Sequence, residues 1–253
     1  LIAIFAISNN NFHYFILKLK IKLTMKKKNL IIIAHPDDEA IFFGNLLSQE
    51  GKNSHVICVT DANADGLGHL RKKEFIRSMK LLKVDSFTWV SLPDQYNNEL
   101  DQAKLLDSIN ATIKLCIKSP NIYTHGLTGE YGHPHHLQIS NLIHQNYFKD
   151  YKIYHPNYFQ IRLTPKDKVF LRDKENTKTK ILTKIYRSEY IKFGNLLPNL
   201  ERESFIHSEA EVSEVSSYLL QKRKTLPKNL GRYNSLKNQF QLLREIGSLE
   251  RPF

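Results

Sequence analysis

Two short stretches of this chain concentrate side chains that can exchange protons or hold a metal ion. The first is His35-Pro36-Asp37-Asp38-Glu39, and the second is Glu130-Tyr131-Gly132-His133-Pro134-His135-His136. A histidine and an aspartate three apart, His35 and Asp38, are plausible donors to one divalent ion, and the additional Asp37 is a candidate base. In the second stretch His133 and His136 are three apart on a predicted helix, close enough to converge on one site. Two histidines and one carboxylate with an open position make a hydrolytic zinc site, and the same donors also suit iron or cobalt. The competing reading of the first stretch is a helix N-terminus, where Asp37, Asp38 and Glu39 offset the helix dipole.

The elements around these residues set where they stand. Leu30-Ile31-Ile32-Ile33-Ala34 is a short apolar run, which reads as a strand buried on both faces. Pro36 ends it, because proline lacks the ladder N–H and disfavours the helical region for the residue before it. A helix follows over 39–49, ended by Gly51, then strand 55–60, helix 69–82, strand 87–92, helix 100–117 and strand 121–124. Strands alternating with helices predict right-handed βαβ units. The fold class is therefore α/β: a Rossmann-like, mostly parallel sheet with helices on both faces. Both ionisable stretches then fall at the carboxyl ends of strands, where open sheets place their ligands. No G-x-G-x-x-G or phosphate-binding loop follows any strand, so no dinucleotide or nucleoside triphosphate is indicated. Beyond Tyr147 the pattern weakens: further strands are expected over 152–155 and 158–164, and helices over 177–193 and 211–224.

Composition bounds the rest. At 253 residues, 41% hydrophobic and 25% charged, the chain has the make-up of a globular protein. Of the net charge of +12, six positive charges precede residue 29 without any acid, leaving +6. A moderate excess of this kind favours solubility; nucleic acid is not expected as a partner, and peripheral membrane contact is not indicated. Cys58 and Cys116 both sit in apolar surroundings and read as buried thiols, which fits a reducing, cytoplasmic location. Residues 1–24 mix short apolar runs with lysines, too interrupted for a membrane span and with their charge placed opposite to a secretory signal. They are expected to be an extension outside the fold, with 25–253 forming one domain.

On Ala34-His35-Pro36-Asp37-Asp38-Glu39 and Tyr131-Gly132-His133-Pro134-His135-His136 the chain resembles the zinc-dependent de-N-acetylases of N-acetylglucosaminyl conjugates, the LmbE-like or PIG-L family. The similarity is good over about residues 29–150; beyond them only Tyr186-Arg187-Ser188-Glu189 and Glu203-Ser204-Phe205 look similar. The resemblance implies a metal held by His35, Asp38 and His136, with Asp37 as base and His133 and Tyr131 facing the developing oxyanion. It further implies that Arg71 and Asp94 contact the sugar, and that the substrate is a small amino-sugar conjugate or glycolipid precursor. One departure stands out: many bacterial members carry aspartate where this chain has His135, and that carboxylate tunes the neighbouring histidine.

Other residues carry two readings each. His125 either lines the pocket or caps its strand, and Arg71 either meets substrate or pairs with Glu74. Glu39 is assigned to the helix N-terminus, His144 to its helix and Trp89 to the core. Two further functions compete: a metal-dependent amidase on an acylated molecule that is not a sugar, and a silent basic protein binding an anionic polymer or membrane. The second leaves both histidine stretches unexplained.

Overall fold

Successive side chains of a strand point to opposite faces, and the first apolar run of this chain divides its side chains between two cores accordingly. In the computed structural model residues 27–96, 98–116, 119–127, 129–158, 165–193 and 201–209 are described, apart from the side chains at 115, 131, 192 and 193. Strand β1 (Asn29–Ile33) is buried along its whole length. Ile31 and Ile33 pack on one face with Phe43 and Leu46 of α1 (Asp38–Glu50) and Phe75 and Met79 of α2 (Gly68–Leu81). Leu30, Ile32 and Ala34 pack on the other, against Leu105 and Ile109 of α3 (Gln102–Leu115) and Ile139 and Ile143 of α4 (Pro134–Tyr147). Each such side chain contributes about 2 kcal/mol by leaving water.

Strand β1 pairs in parallel with β2 (Ser54–Thr60) on one side and β4 (Asn121–Tyr123) on the other. Outside them lie β3 (Phe87–Leu92) and β5 (Ile153–Pro156), both parallel. Two more strands, β6 (Lys168–Leu171) and β7 (Arg202–His207), complete the order β3-β2-β1-β4-β5-β7-β6, with β7 antiparallel to both its neighbours. The order runs outward from β1 in both directions, so the topological switch point lies between β1 and β4. A crevice opens there at the carboxyl ends, and both ionisable stretches border it.

The expected elements up to residue 147 are present, with no end moved by more than two residues. Asp101 caps α3, its carboxylate accepting from the Lys104 amide at 3.0 Å, which starts that helix two residues later than expected. The expected strand over 152–155 is Ile153–Pro156. The helix expected over 177–193 is not continuous: α5 (Thr177–Lys180) widens into a π-helical stretch, Ile181–Ile185, and α6 (Arg187–Phe193) begins after Tyr186. The widening buries Ile181, Leu182 and Ile185 together and brings the Tyr186 hydroxyl to within 2.8 Å of the Glu39 carboxylate. Strands β6 and β7 were not expected from the pattern. The strand expected over 158–164, the helix over 211–224 and the extension 1–24 fall, except for Tyr158, outside the described residues. Both cysteines are free; Cys58 is buried as expected, while Cys116 at the end of α3 is only half-buried. Among the described residues no helix is long and apolar enough to cross a membrane.

Candidate active site

Strand β1 ends at a turn that delivers His35, Asp37 and Asp38 into the crevice. Asp38 opens α1, and its carboxylate accepts from the His35 amide at 2.8 Å, folding the two side chains toward each other. Asp37 has φ 106°, in a region that non-glycine residues rarely adopt, at a cost of roughly 1–3 kcal/mol. The strain is held by Glu39, whose carboxylate accepts from the Asp37 amide at 2.9 Å, from Ser78 at 2.6 Å and from Tyr186 at 2.8 Å. Glu39 does serve the helix N-terminus, and in doing so it fixes the backbone of its neighbour. Burial pushes the Glu39 carboxyl up to about 7, against the pull of those donors.

The second stretch enters from the far side of β4. His133 is the N-cap of α4, its Nδ1 accepting from the His135 amide at 3.3 Å, and Pro134 fills the first helical position. His136, one turn in, is fully buried and places Nε2 3.4 Å from Asp38 Oδ1. His35 Nδ1 lies 3.6 Å from Asp38 Oδ2. His35, Asp38 and His136 thus offer one ligand atom each within 4.8 Å of one another.

The partners of these groups decide what belongs between them. His136 Nδ1 lies 2.9 Å from Glu130 Oε2, and a carboxylate accepts, so the ring hydrogen is on Nδ1 and Nε2 presents a lone pair to Asp38. His125 shares the same Glu130 oxygen through Nδ1, at 2.9 Å, and its Nε2 accepts from the Ala34 amide at 3.0 Å. That second nitrogen is 3.5 Å from Asp38 Oδ2. Lone pairs therefore meet carboxylate oxygens at spacings close to those between donors of a tetrahedral ion bound at about 2.0–2.2 Å. The donor set fits a divalent metal. Rings carrying a second proton would instead donate to Asp38, and in that state burial is outweighed by His136, His125 and His35, which hold its carboxyl well below its usual range. Glu130, buried as well, is drawn down to about 2 by His125 and His136.

Around this centre a cavity of about 420 Å³ is lined by His35, Asp37, Asp38, Arg71, Asp94 and His133, among others. Burial and the adjacent Asp38 charge push the Asp37 carboxyl well above its usual range. Burial, reinforced by His136 and His35, lowers His133 to about 3, so this ring is neutral near pH 7. Its Nδ1 is the acceptor for the His135 amide, which leaves the hydrogen on Nε2 as a donor. Arg71 lines the wall, but its guanidinium is bonded to Asp65 at 2.8 Å and Glu189 at 2.9 Å; Glu74 is not its bonded partner. Asp94 stands by His35 and His135, with Oδ1 3.4 Å from a ring nitrogen of each. The Tyr131 side chain lies outside the described residues. His144 bonds to Ser208 at 2.9 Å, away from the cavity, and Trp89 packs half-buried on the core with Lys72 over its ring. Sequence reasoning passed over Glu130 and Glu189. The first stood inside the quoted stretch, beside its histidines; the second had only the short similarity at 186–189 to mark it.

Comparisons with known proteins follow the same residues. A family model described as PIG-L, GlcNAc-PI de-N-acetylase, matches residues 30–147. A probable N-acetylglucosaminyl-phosphatidylinositol de-N-acetylase of Dictyostelium discoideum is 34% identical over 130 residues, covering 48% of this chain and 50% of that protein. A protein of the same description from Schizosaccharomyces pombe is 29% identical over 179 residues, covering 68% of this chain and 63% of its own length. The chain thus spans about half the length of the first of these relatives and under two thirds of the second. Among solved structures, a conserved protein from Thermus thermophilus superposes with a TM-score of 0.51 at 16% identity, over 72% of this chain and 94% of that one. A deacetylase of the pseudoaglycone of the antimicrobial reagent A40926 superposes with a TM-score of 0.50 at 13% identity, over 72% of this chain and 97% of that one. These two establish the likeness of fold.

Proposed function

We propose, from the match of residues 30–147 to the PIG-L family model, that the protein is a metal-dependent hydrolase removing an N-acetyl group from an N-acetylglucosamine-type conjugate. The observation that carries the reading is the meeting of His136 Nε2 and Asp38 Oδ1 at 3.4 Å, two acceptors face to face at the floor of a cavity. His35, Asp38 and His136 would hold the metal. Zinc suits two nitrogens and a carboxylate, with ferrous iron as the other candidate. Such an ion supplies Lewis acidity toward water and an amide carbonyl.

The chain's own residues do the rest. Asp38 is committed to its histidines, so Asp37 is the carboxylate left to take a proton from the attacking water and return it to the leaving amine. A raised pKa suits a base that must also act as an acid near neutral pH. The strained backbone at 37, anchored by Glu39, sets that side chain beside the centre. Neutral His133 donates its Nε2–H to the oxygen on which charge develops, with the Tyr131 hydroxyl as second donor; each such donor is worth about 3 kcal/mol. Acetate and a free amino sugar are the products. The cavity wall carries Asp65, Asp94 and Glu189 against a single Arg71, a lining that suits the hydroxyls of a sugar better than an anionic group.

The test is the variant Asp37→Asn. It is expected to keep about one zinc per chain and to lose at least 100-fold in kcat on an N-acetylglucosamine conjugate. Activity within about tenfold of wild type would remove Asp37 from the proposed role. A parallel panel of acetamides lacking a sugar separates the amino-sugar reading from a general amidase.

A further inference from the structure

His35 is held at both ends of its ring. Its Nδ1 faces Asp38, while its Nε2 lies 3.2 Å from His135 Nδ1 and 3.4 Å from Asp94 Oδ1. His135 Nδ1 and Asp94 Oδ1 are themselves 3.4 Å apart, so three heteroatoms form a nearly equilateral triangle. The hydrogens in it can be assigned from the outer contact. His135 Nε2 lies 3.2 Å from the Gln95 carbonyl oxygen, which only accepts, so the hydrogen of that ring is on Nε2. Its Nδ1 is then an acceptor. With two acceptors facing it, His35 carries a hydrogen on Nε2, and in the neutral ring that a metal ligand must be, the Nδ1 lone pair is turned toward Asp38. That is the tautomer a metal ligand at Nδ1 requires.

Both partners are anchored to other elements. Asp94 follows β3, and its amide donates to Asp61 Oδ1 at 3.0 Å, while the Asp61 amide donates to Leu92 at 2.7 Å. His135 is buried in the first turn of α4. The triangle therefore locks the ends of β1 and β3 to the start of α4. At position 135 the imidazole Nδ1 adds an acceptor next to Asp94, where a carboxylate would add like-charge repulsion.

We propose that Asp94 and His135 are positioning residues for His35, fixing its tautomer and ring plane for metal binding. The inference rests on the metal-dependent reading above, and its test separates the two. Zinc affinity of the full chain is measured by chelator competition for wild type, Asp94→Asn, His135→Ala and His135→Gln, with kcat and KM on an N-acetylglucosamine conjugate at saturating zinc. Asp94→Asn and His135→Ala are expected to weaken zinc by 10- to 100-fold and to alter the visible spectrum of the cobalt-substituted protein, with KM within about threefold of wild type. His135→Gln, which keeps an acceptor, is expected to recover zinc affinity to within about threefold of wild type. Unchanged zinc affinity with KM raised tenfold or more in Asp94→Asn would return that residue to the sugar and overturn the proposal. A wild-type chain that binds no zinc removes the proposed function and this inference together; zinc binding that none of the variants weakens removes the inference alone.

Discussion

The Glu130 carboxylate lies 2.9 Å from Nδ1 of His136, and that contact determines which nitrogen of the ring faces Asp38. Glu130 is fully enclosed and serves His125 through the same oxygen. In Glu130→Gln the side-chain oxygen can accept from one ring but no longer carries the charge that both rings share. Zinc affinity is expected to fall by about 10- to 100-fold, with kcat/KM falling at limiting metal and recovering in part at saturating metal. Chelator competition and metal-dependent kinetics check this. A variant with wild-type affinity would leave His136 oriented by the helix alone.

Glu39 makes a separate prediction, because it ties Asp37, α2 and the Tyr186 turn into one buried network. Removing it in Glu39→Ala frees the amide of a residue already strained at φ 106° and strips the acceptor from Ser78 and Tyr186. The expected cost is about 2–4 kcal/mol in unfolding free energy. At temperatures where the variant remains folded, kcat should fall more than KM, since the side chain displaced is the proposed base. Urea unfolding and steady-state kinetics measure the two effects independently.

How far the sequence reaches is visible in these networks. Strands β1 to β4 and helices α1 to α4 were legible because each carries its own local signal: an apolar run, a helical stripe, a capping residue such as Asp101. Donors on the two ionisable stretches were legible as residue types, and the parallel topology was enough to bring His35 and His136 to one crevice. What was not legible is pairing across distance. Glu189 and Arg71 are 118 residues apart, and Tyr186 reaches Glu39 over 147. Strand β7 finds its neighbours β5 and β6 only once the sheet has formed. Glu130 was hidden differently: its backbone takes φ 55°, a turn that apolar periodicity does not encode, and that turn carries it beneath its own histidines. His135 could be seen as a departure, yet nothing in the pattern indicates Asp94 and Gln95 as its partners.

The strand β7 that escaped the pattern anchors α1 through Glu203, which is also the acid of a buried ion pair with α5. Lys178 Nζ lies 2.7 Å from Glu203, whose oxygens also accept from the Asn45 and Leu46 amides at 2.8 and 3.0 Å. The lysine stem crosses Gly44, where a β-carbon would meet it at 2.8 Å, so the close approach needs glycine. Burial raises the Glu203 carboxyl, and Lys178 opposes that rise. Lys178→Met leaves the carboxylate buried without its cation and is expected to cost about 3 kcal/mol or more. Lys178→Met combined with Glu203→Gln should cost less than the single change, because no uncompensated charge remains. Equilibrium unfolding of the set tests the coupling; strictly additive costs would argue against a paired charge.

His55 gives stability a pH dependence remote from the candidate active site. Its ring is buried on β2, with Nδ1 2.7 Å from the Ser86 hydroxyl and Nε2 2.9 Å from that of Thr88. Burial, with Lys27 adding like charge, lowers its pKa from 6.5 to about 4. The folded state therefore prefers the neutral ring, while the unfolded chain takes up a proton near 6.5. The stability tied to this preference is fully present above 6.5 and is lost as pH falls through 4. The shift corresponds to a contribution on the order of 3 kcal/mol at neutral pH. Urea midpoints measured from pH 7.5 down to 4 should fall over that window, and His55→Gln should remove most of this component. An unchanged slope in the variant would place the acid sensitivity elsewhere, at His133, the crevice histidine that burial also keeps neutral.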